Sequence, residues 1–164
     1  MAVHIHPVDI PPRFYKPLGQ IVAGWNLTEA LISSTIWHIH KIKDPRIGRL
    51  FTYRPNSAEK LRIFKITVDR YVSVSDPIKA NLLTLYGEAD KLRGRRNTFV
   101  HGLWGRMPKE RQTWKVFYLK DTDDTYQLKR EEVTLHGLND MAARVRKLNK
   151  DLKKLMCQIG APPP

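Results

Sequence analysis

Apolar residues recur at Leu18, Val22, Trp25, Ile32, Ile36 and Ile39, in steps of four and three broken at one slot by Glu29. That spacing keeps them on one stripe of a helix. The same alternation runs through Ile78, Leu82, Leu85, Ala89, Leu92, Phe99 and Leu103, here broken at one slot by Arg96. Between the two, Asn56 followed by Glu59 has the form of a capping box, and Leu61, Phe64, Val68 and Tyr71 give a helix its inward face. Asp76-Pro77 supplies an N-cap and a proline at the first helical position for the helix that carries Arg96. A last helix, starting near Thr134 or Leu138, carries Leu138, Met141, Val145, Leu148, Leu152, Leu155 and Ile159 and closes at Gly160. Its outer face holds Arg144, Arg146, Lys147, Lys150, Lys153 and Lys154. Two readings stand for that face: a solvated surface, or one that tracks phosphates.

The intervening segments follow other rules. Residues 1–17 contain Pro7, Pro11, Pro12 and Pro17 and predict an extended arm. Lys41 to Pro55 reads as a connection, with Asp44-Pro45 and Pro55 as breakers. Ser73 to Ser75 is a short break. Trp114 to Leu119 and Tyr126 to Val133 are strand candidates around the turn that starts at Asp121, with Leu103 to Met107 as a further edge. The fold class expected is mainly all-α: a four-to-five-helix up-and-down bundle with a small β-hairpin inserted between the third and fourth main helices. Residues 1–164 then form one domain, with the insertion at 103–133 and a proline-rich tail at 160–164.

The two charges on apolar stripes invite pairing. A buried lone charge is expensive, so Glu29 of the first helix is expected to approach Arg96 of the third; otherwise each faces solvent on its own. Asn97 and His101 are four apart and share a face, which Arg93 extends backwards. Arg96 and His101 lie roughly 140° apart around a regular helix and are not expected to meet on one straight helix. Either Gly102 frays the last turn and re-aims the histidine, or the two groups converge across a two-fold axis.

Net charge changes the picture most. At +13, with a pI near 10.0, the surface favours nucleic acid or another acidic partner. The single cysteine, Cys157, excludes an intrachain disulfide and fits a reducing compartment, with a small packing role in its helix. The start of the chain has no signal-peptide pattern, and no apolar run reaches membrane-spanning length, which together predict a cytoplasmic protein with no membrane association. His4 with His6, and His38 with His40, are metal-ligand candidates; His38 and His40, two apart on a helix, face different ways, and with one cysteine and no Glu-rich partner motif no metal is expected. Walker-type and dinucleotide glycine patterns are absent from the sequence.

Arg96, Asn97 and, three residues further, His101 resemble the Arg-x4-6-His motif of the HEPN superfamily (higher eukaryotes and prokaryotes nucleotide-binding domains), in which a polar residue follows the arginine. The string Arg-Asn-Thr-Phe-Val-His-Gly-Leu-Trp is similar to that of small bacterial members. The resemblance covers most of the chain as architecture and this one string as sequence. It implies a metal-independent, cofactor-free endoribonuclease, a toxin or defence component, whose site forms at a homodimer interface. It also implies RNA as substrate and an antitoxin or nucleotidyltransferase as partner. His101 would be the general base or acid, since histidine titrates near neutral pH. Arg96 would hold and neutralise the phosphate, and Asn97 would orient either. Glu29 would support Arg96, while Arg93, Arg95, Trp104 and Arg106 would contact nucleic acid. Trp104 would either stack on a base or close the bundle end. The alternative is a non-catalytic helical module that binds RNA, a nucleotide or a protein.

Overall fold

A computed structural model describes residues 10–53, 55–71, 75–107, 110–122 and 125–161. Among them the fold is mainly helical. The helices α1 (Pro12–Ile39), α2 (Pro45–Thr52), α3 (Ser57–Tyr71) and α4 (Asp76–His101) precede three strands, β1 (Leu103–Met107), β2 (Glu110–Thr122) and β3 (Thr125–Val133). Helix α5 (Leu135–Gln158) follows. The strands form one antiparallel sheet with β2 in the middle.

Two boundaries depart from expectation, each for a local reason. Helix α1 starts at Pro12 and takes in Pro17, so residues 12–17 are helical and not an arm. Pro12 stands at the first helical position, where a missing N–H costs nothing. Pro17 gives up one backbone bond, but its ring and that of Phe14 are buried. The first nine residues, His4 and His6 included, lie outside the described residues, as do Ser73, Val74, Asp123, Asp124 and the last three prolines. Helix α2 replaces part of the connection read at 41–55. Asp44-Pro45 breaks one helix and starts another: Asp44 accepts the Arg46 backbone N–H at 2.8 Å, with Pro45 in the first turn. At the insertion, the further edge expected at Leu103 to Met107 forms as β1. Leu103 pairs with Phe117 and Arg106 with Trp114, and the register shifts between Arg106 and Met107. Leu103 thus belongs to β1 and is exposed, as is Tyr71 at the end of α3. Helix α5 is capped by Thr134, whose hydroxyl accepts the Gly137 N–H at 3.0 Å.

The chain divides into two compact units. The first comprises the described residues up to Val22 and Gly94–Ala142. Its core includes Phe99, Val116, Leu138 and a cluster of three rings: Phe14 lies 5.9 Å from Trp104 and edge-on to Trp114 at 6.4 Å. The second comprises Ala23–Arg93 and the described residues from Ala143 on. Trp25, Ile32, Phe64, Leu92, Val145 and Leu152 are buried there. Within it, Thr28 donates to Asn149 Oδ1 at 2.7 Å, and Asn149 Nδ2 donates to the Gly24 carbonyl at 2.8 Å, tying α1 to α5. Cys157 is exposed and not a packing residue. No helix among the described residues is long and apolar enough to cross a membrane.

Candidate functional site

The end of α4 is built from outside the helix. Beyond His101 the chain turns into β1, so the Phe99 carbonyl lacks a helical donor. The Trp104 indole N–H fills that place at 2.9 Å. Trp104 is therefore buried beside the end of α4 and not free to stack on a base. Gly102 donates its N–H to the Thr98 carbonyl at 3.0 Å. A Cβ on Gly102 would stand 2.4 Å from that carbonyl oxygen and 2.4 Å from Val116 Cγ2. The residue is glycine because β2 comes that close, not because the backbone turns left-handed: among the described residues, Gly160 is the glycine with positive φ.

On this frame Arg96 Nη1 donates to Asn97 Oδ1 at 3.0 Å and lies 3.1 Å from His101 Nε2. The motif therefore assembles within one chain. The angular gap between positions 96 and 101 is real, but an arginine side chain is long enough to cross it. A guanidinium has only N–H groups, so this contact is a hydrogen bond when His101 Nε2 offers its lone pair. Arg96 is half-buried and His101 exposed. The Arg96 Nε is buried without a hydrogen-bond partner, and among the described residues the guanidinium has no carboxylate. Such an unmet donor is costly, and a ligand oxygen would relieve it.

Glu29 is not that oxygen's source. The expected Glu29–Arg96 pair is replaced by one with Lys60: Lys60 Nζ donates to Glu29 Oε2 at 2.8 Å, while Trp25 Nε1, at 2.9 Å, and the Ser57 hydroxyl donate to Oε1. Burial alone would raise the Glu29 carboxyl. The hydrogen bonds from Lys60 and Ser57, the charge of Lys60 and the Trp25 bond together outweigh burial, and hold it below its ordinary value of 4.5. Lys60 was missed because the inward face of α3 was counted from its apolar residues. Positions 60, 64 and 67 also lie on one helix row, and all three are buried.

The remaining candidates separate. Arg93 pairs with Asp90 at 2.9 Å. Arg95 pairs with Glu131 at 3.1 Å and lies over the Phe99 ring at 5.4 Å. Arg106 is exposed, 4.8 Å above the Trp114 ring. On the outer face of α5, Arg144 turns to Glu88 at 2.7 Å, whereas Arg146, Lys150, Lys153 and Lys154 are exposed. His38 meets the Ile159 carbonyl at 2.9 Å and His40 the Thr67 hydroxyl at 3.1 Å, so the two rings serve different contacts. Compared with protein-family models, curated proteins and solved structures, the chain shows no match.

Proposed function

We propose that the chain is a metal-independent endoribonuclease of HEPN type, an up-and-down bundle acting in the cytoplasm as a toxin or defence component. One observation carries the reading: a half-buried Arg96 without a carboxylate, in direct contact with Asn97 and His101. The net charge of +13 supports a polyanionic substrate. A phosphate oxygen would accept from the terminal N–H groups of Arg96 and draw Nη1 off His101. The freed Nε2 lone pair can then accept the proton of the 2′-hydroxyl, whose oxygen attacks the phosphorus. The bond to the 5′-oxygen breaks, the leaving oxygen takes a proton from water while His101 returns its own to solvent, and the products are a 2′,3′-cyclic phosphate and a 5′-hydroxyl. The homodimer, and an antitoxin or nucleotidyltransferase partner, rest on the resemblance, since the motif closes within one chain.

A non-catalytic module binding RNA, a nucleotide or a protein is the second reading. The specific observation in its favour is that His101 Nε2 is already engaged by Arg96. Labelled single-stranded RNA incubated in chelator with wild type, Arg96→Ala and His101→Ala separates the two. Cyclic-phosphate ends formed by wild type alone support the nuclease. A folded His101→Ala protein that cuts as fast as wild type leaves the binding module.

A further inference from the structure

The largest opening described in the second unit lies elsewhere in the sequence. A cleft of about 830 Å³ is lined from α1, α2 and the start of α3, a volume in the range of small-molecule sites. The Glu29–Lys60 pair lies in it, with Trp37, Arg49, Tyr53 and Asn56 among the lining residues. One wall is rigid. Trp37 Nε1 donates to the Thr52 hydroxyl at 3.0 Å, and a Cβ on Gly48 would stand 2.4 Å from the Trp37 ring, so α2 is set directly against it.

The polar groups are unequally satisfied. Glu29 receives three donors and needs nothing more. Lys60 has three N–H groups and gives one of them to Glu29, with no other partner among the described residues, although its side chain is only 9% exposed. Arg49 is exposed at the rim, and its guanidinium has no partner among the described residues. Glu29 and Lys60 cancel, so Arg49 leaves the lining with surplus positive charge, to which the start of α3 at Ser57 adds its dipole. Trp37, Tyr53 and Pro55 offer apolar surface beside these donors.

We propose that this cleft binds a small organic oxyanion, a carboxylate or a phosphate monoester on a flat apolar body. The anionic oxygens meet Lys60 and Arg49, and the body lies along Trp37 and Tyr53. The site is separate from Arg96 and does not depend on the RNA-cleaving reading.

The four tryptophans make the test local, because Trp37 lines this cleft and the buried Trp25 donates to its Glu29, while Trp104 and Trp114 belong to the other unit. Benzoate and phenyl phosphate are titrated into the full-length protein, with benzyl alcohol as the uncharged control. The four indole N–H resonances are followed by NMR, assigned from single Trp→Phe variants. The expected result is saturable movement of the Trp25 and Trp37 signals with one or both anions. The stronger anion identifies the acid class. Arg49→Gln, on the exposed face of α2, should weaken binding about tenfold. Lys60→Met combined with Glu29→Gln should abolish it, and Arg49→Gln alone decides the matter if that double variant fails to fold. Any of four results overturns the proposal: no movement at millimolar probe, movement confined to Trp104 and Trp114, equal response to benzyl alcohol, or unchanged affinity in Arg49→Gln.

Discussion

Glu29 and Arg96 begin as equivalents, each a charged residue interrupting an otherwise apolar helical stripe, and they end as opposites. Glu29 collects an ammonium, a hydroxyl and an indole, and its carboxyl is held in the charged form. Arg96 collects one amide and one imidazole, keeps a buried Nε unbonded and has no counter-charge among the described residues. The first arrangement is complete in itself, because every strong acceptor has its donor. The second is left incomplete among the described residues, which is what the proposed ligand-binding reading rests on. A polar intruder on a core stripe thus says where a charge sits. Whether it serves stability or ligand binding depends on how fully the neighbours answer it.

That contrast can be broken at several points. The largest effect is expected on chemistry: Arg96→Ala and His101→Ala should each lower metal-free RNA cleavage about 10²-fold or more, measured as initial rates on one substrate. Lys60→Met should cost about 2 kcal/mol in urea denaturation. That is less than the ~3–5 kcal/mol for breaking a fully buried pair, because Glu29 keeps 27% of its side chain exposed. The next effect is a pH dependence. The Glu29 carboxyl is lowered from 4.5 in the folded state, so it adds stability above that value and loses it as the pH falls through the folded pKa. The difference in Tm between wild type and Glu29→Gln should accordingly be flat at neutral pH and shrink in acid. A difference that grows in acid would contradict the lowered carboxyl. The smallest effect is the stability of Arg96→Ala, expected to change by less than about 1 kcal/mol, since no buried carboxylate is orphaned. A loss of several kcal/mol in the same urea measurement would place Arg96 with Glu29 among the structural charges.

Much of this was legible beforehand, and the failures have specific causes. The stripes of α1, α3, α4 and α5 were readable because period and burial coincide: Trp25, Phe64, Leu92 and Leu148 all fall inside. Helix α2 was not, because Asp44-Pro45 carries the same letters whether it ends a helix or begins one. The first turns of α1 were hidden by prolines, which are tolerated at such positions. Arg96, Asn97 and His101 stood out as a string, and the structure brings the three together. Their expected separation failed because helix geometry places Cα atoms, not the tips of long side chains. The Glu29–Arg96 pairing failed for a related reason: a stripe gives the angle of a residue on its own helix, not which element lies opposite. Lys60 and Asn149 went unnoticed because their helices were read through apolar letters alone, although both are buried on those rows.

Helix ends ordinarily fray, and a group placed on a last turn must be ordered again each time it binds something. The final turn of α4 has lost that freedom. The Trp104 indole holds the Phe99 carbonyl, and Gly102 leaves room for Val116 of β2 to come close beside the helix end. The backbone that carries Asn97 and His101 is thus held at its end by the sheet. In the proposed reading a ligand meets a turn already ordered when the sheet folds, and the sheet would then shape affinity there as much as the residues that touch the ligand.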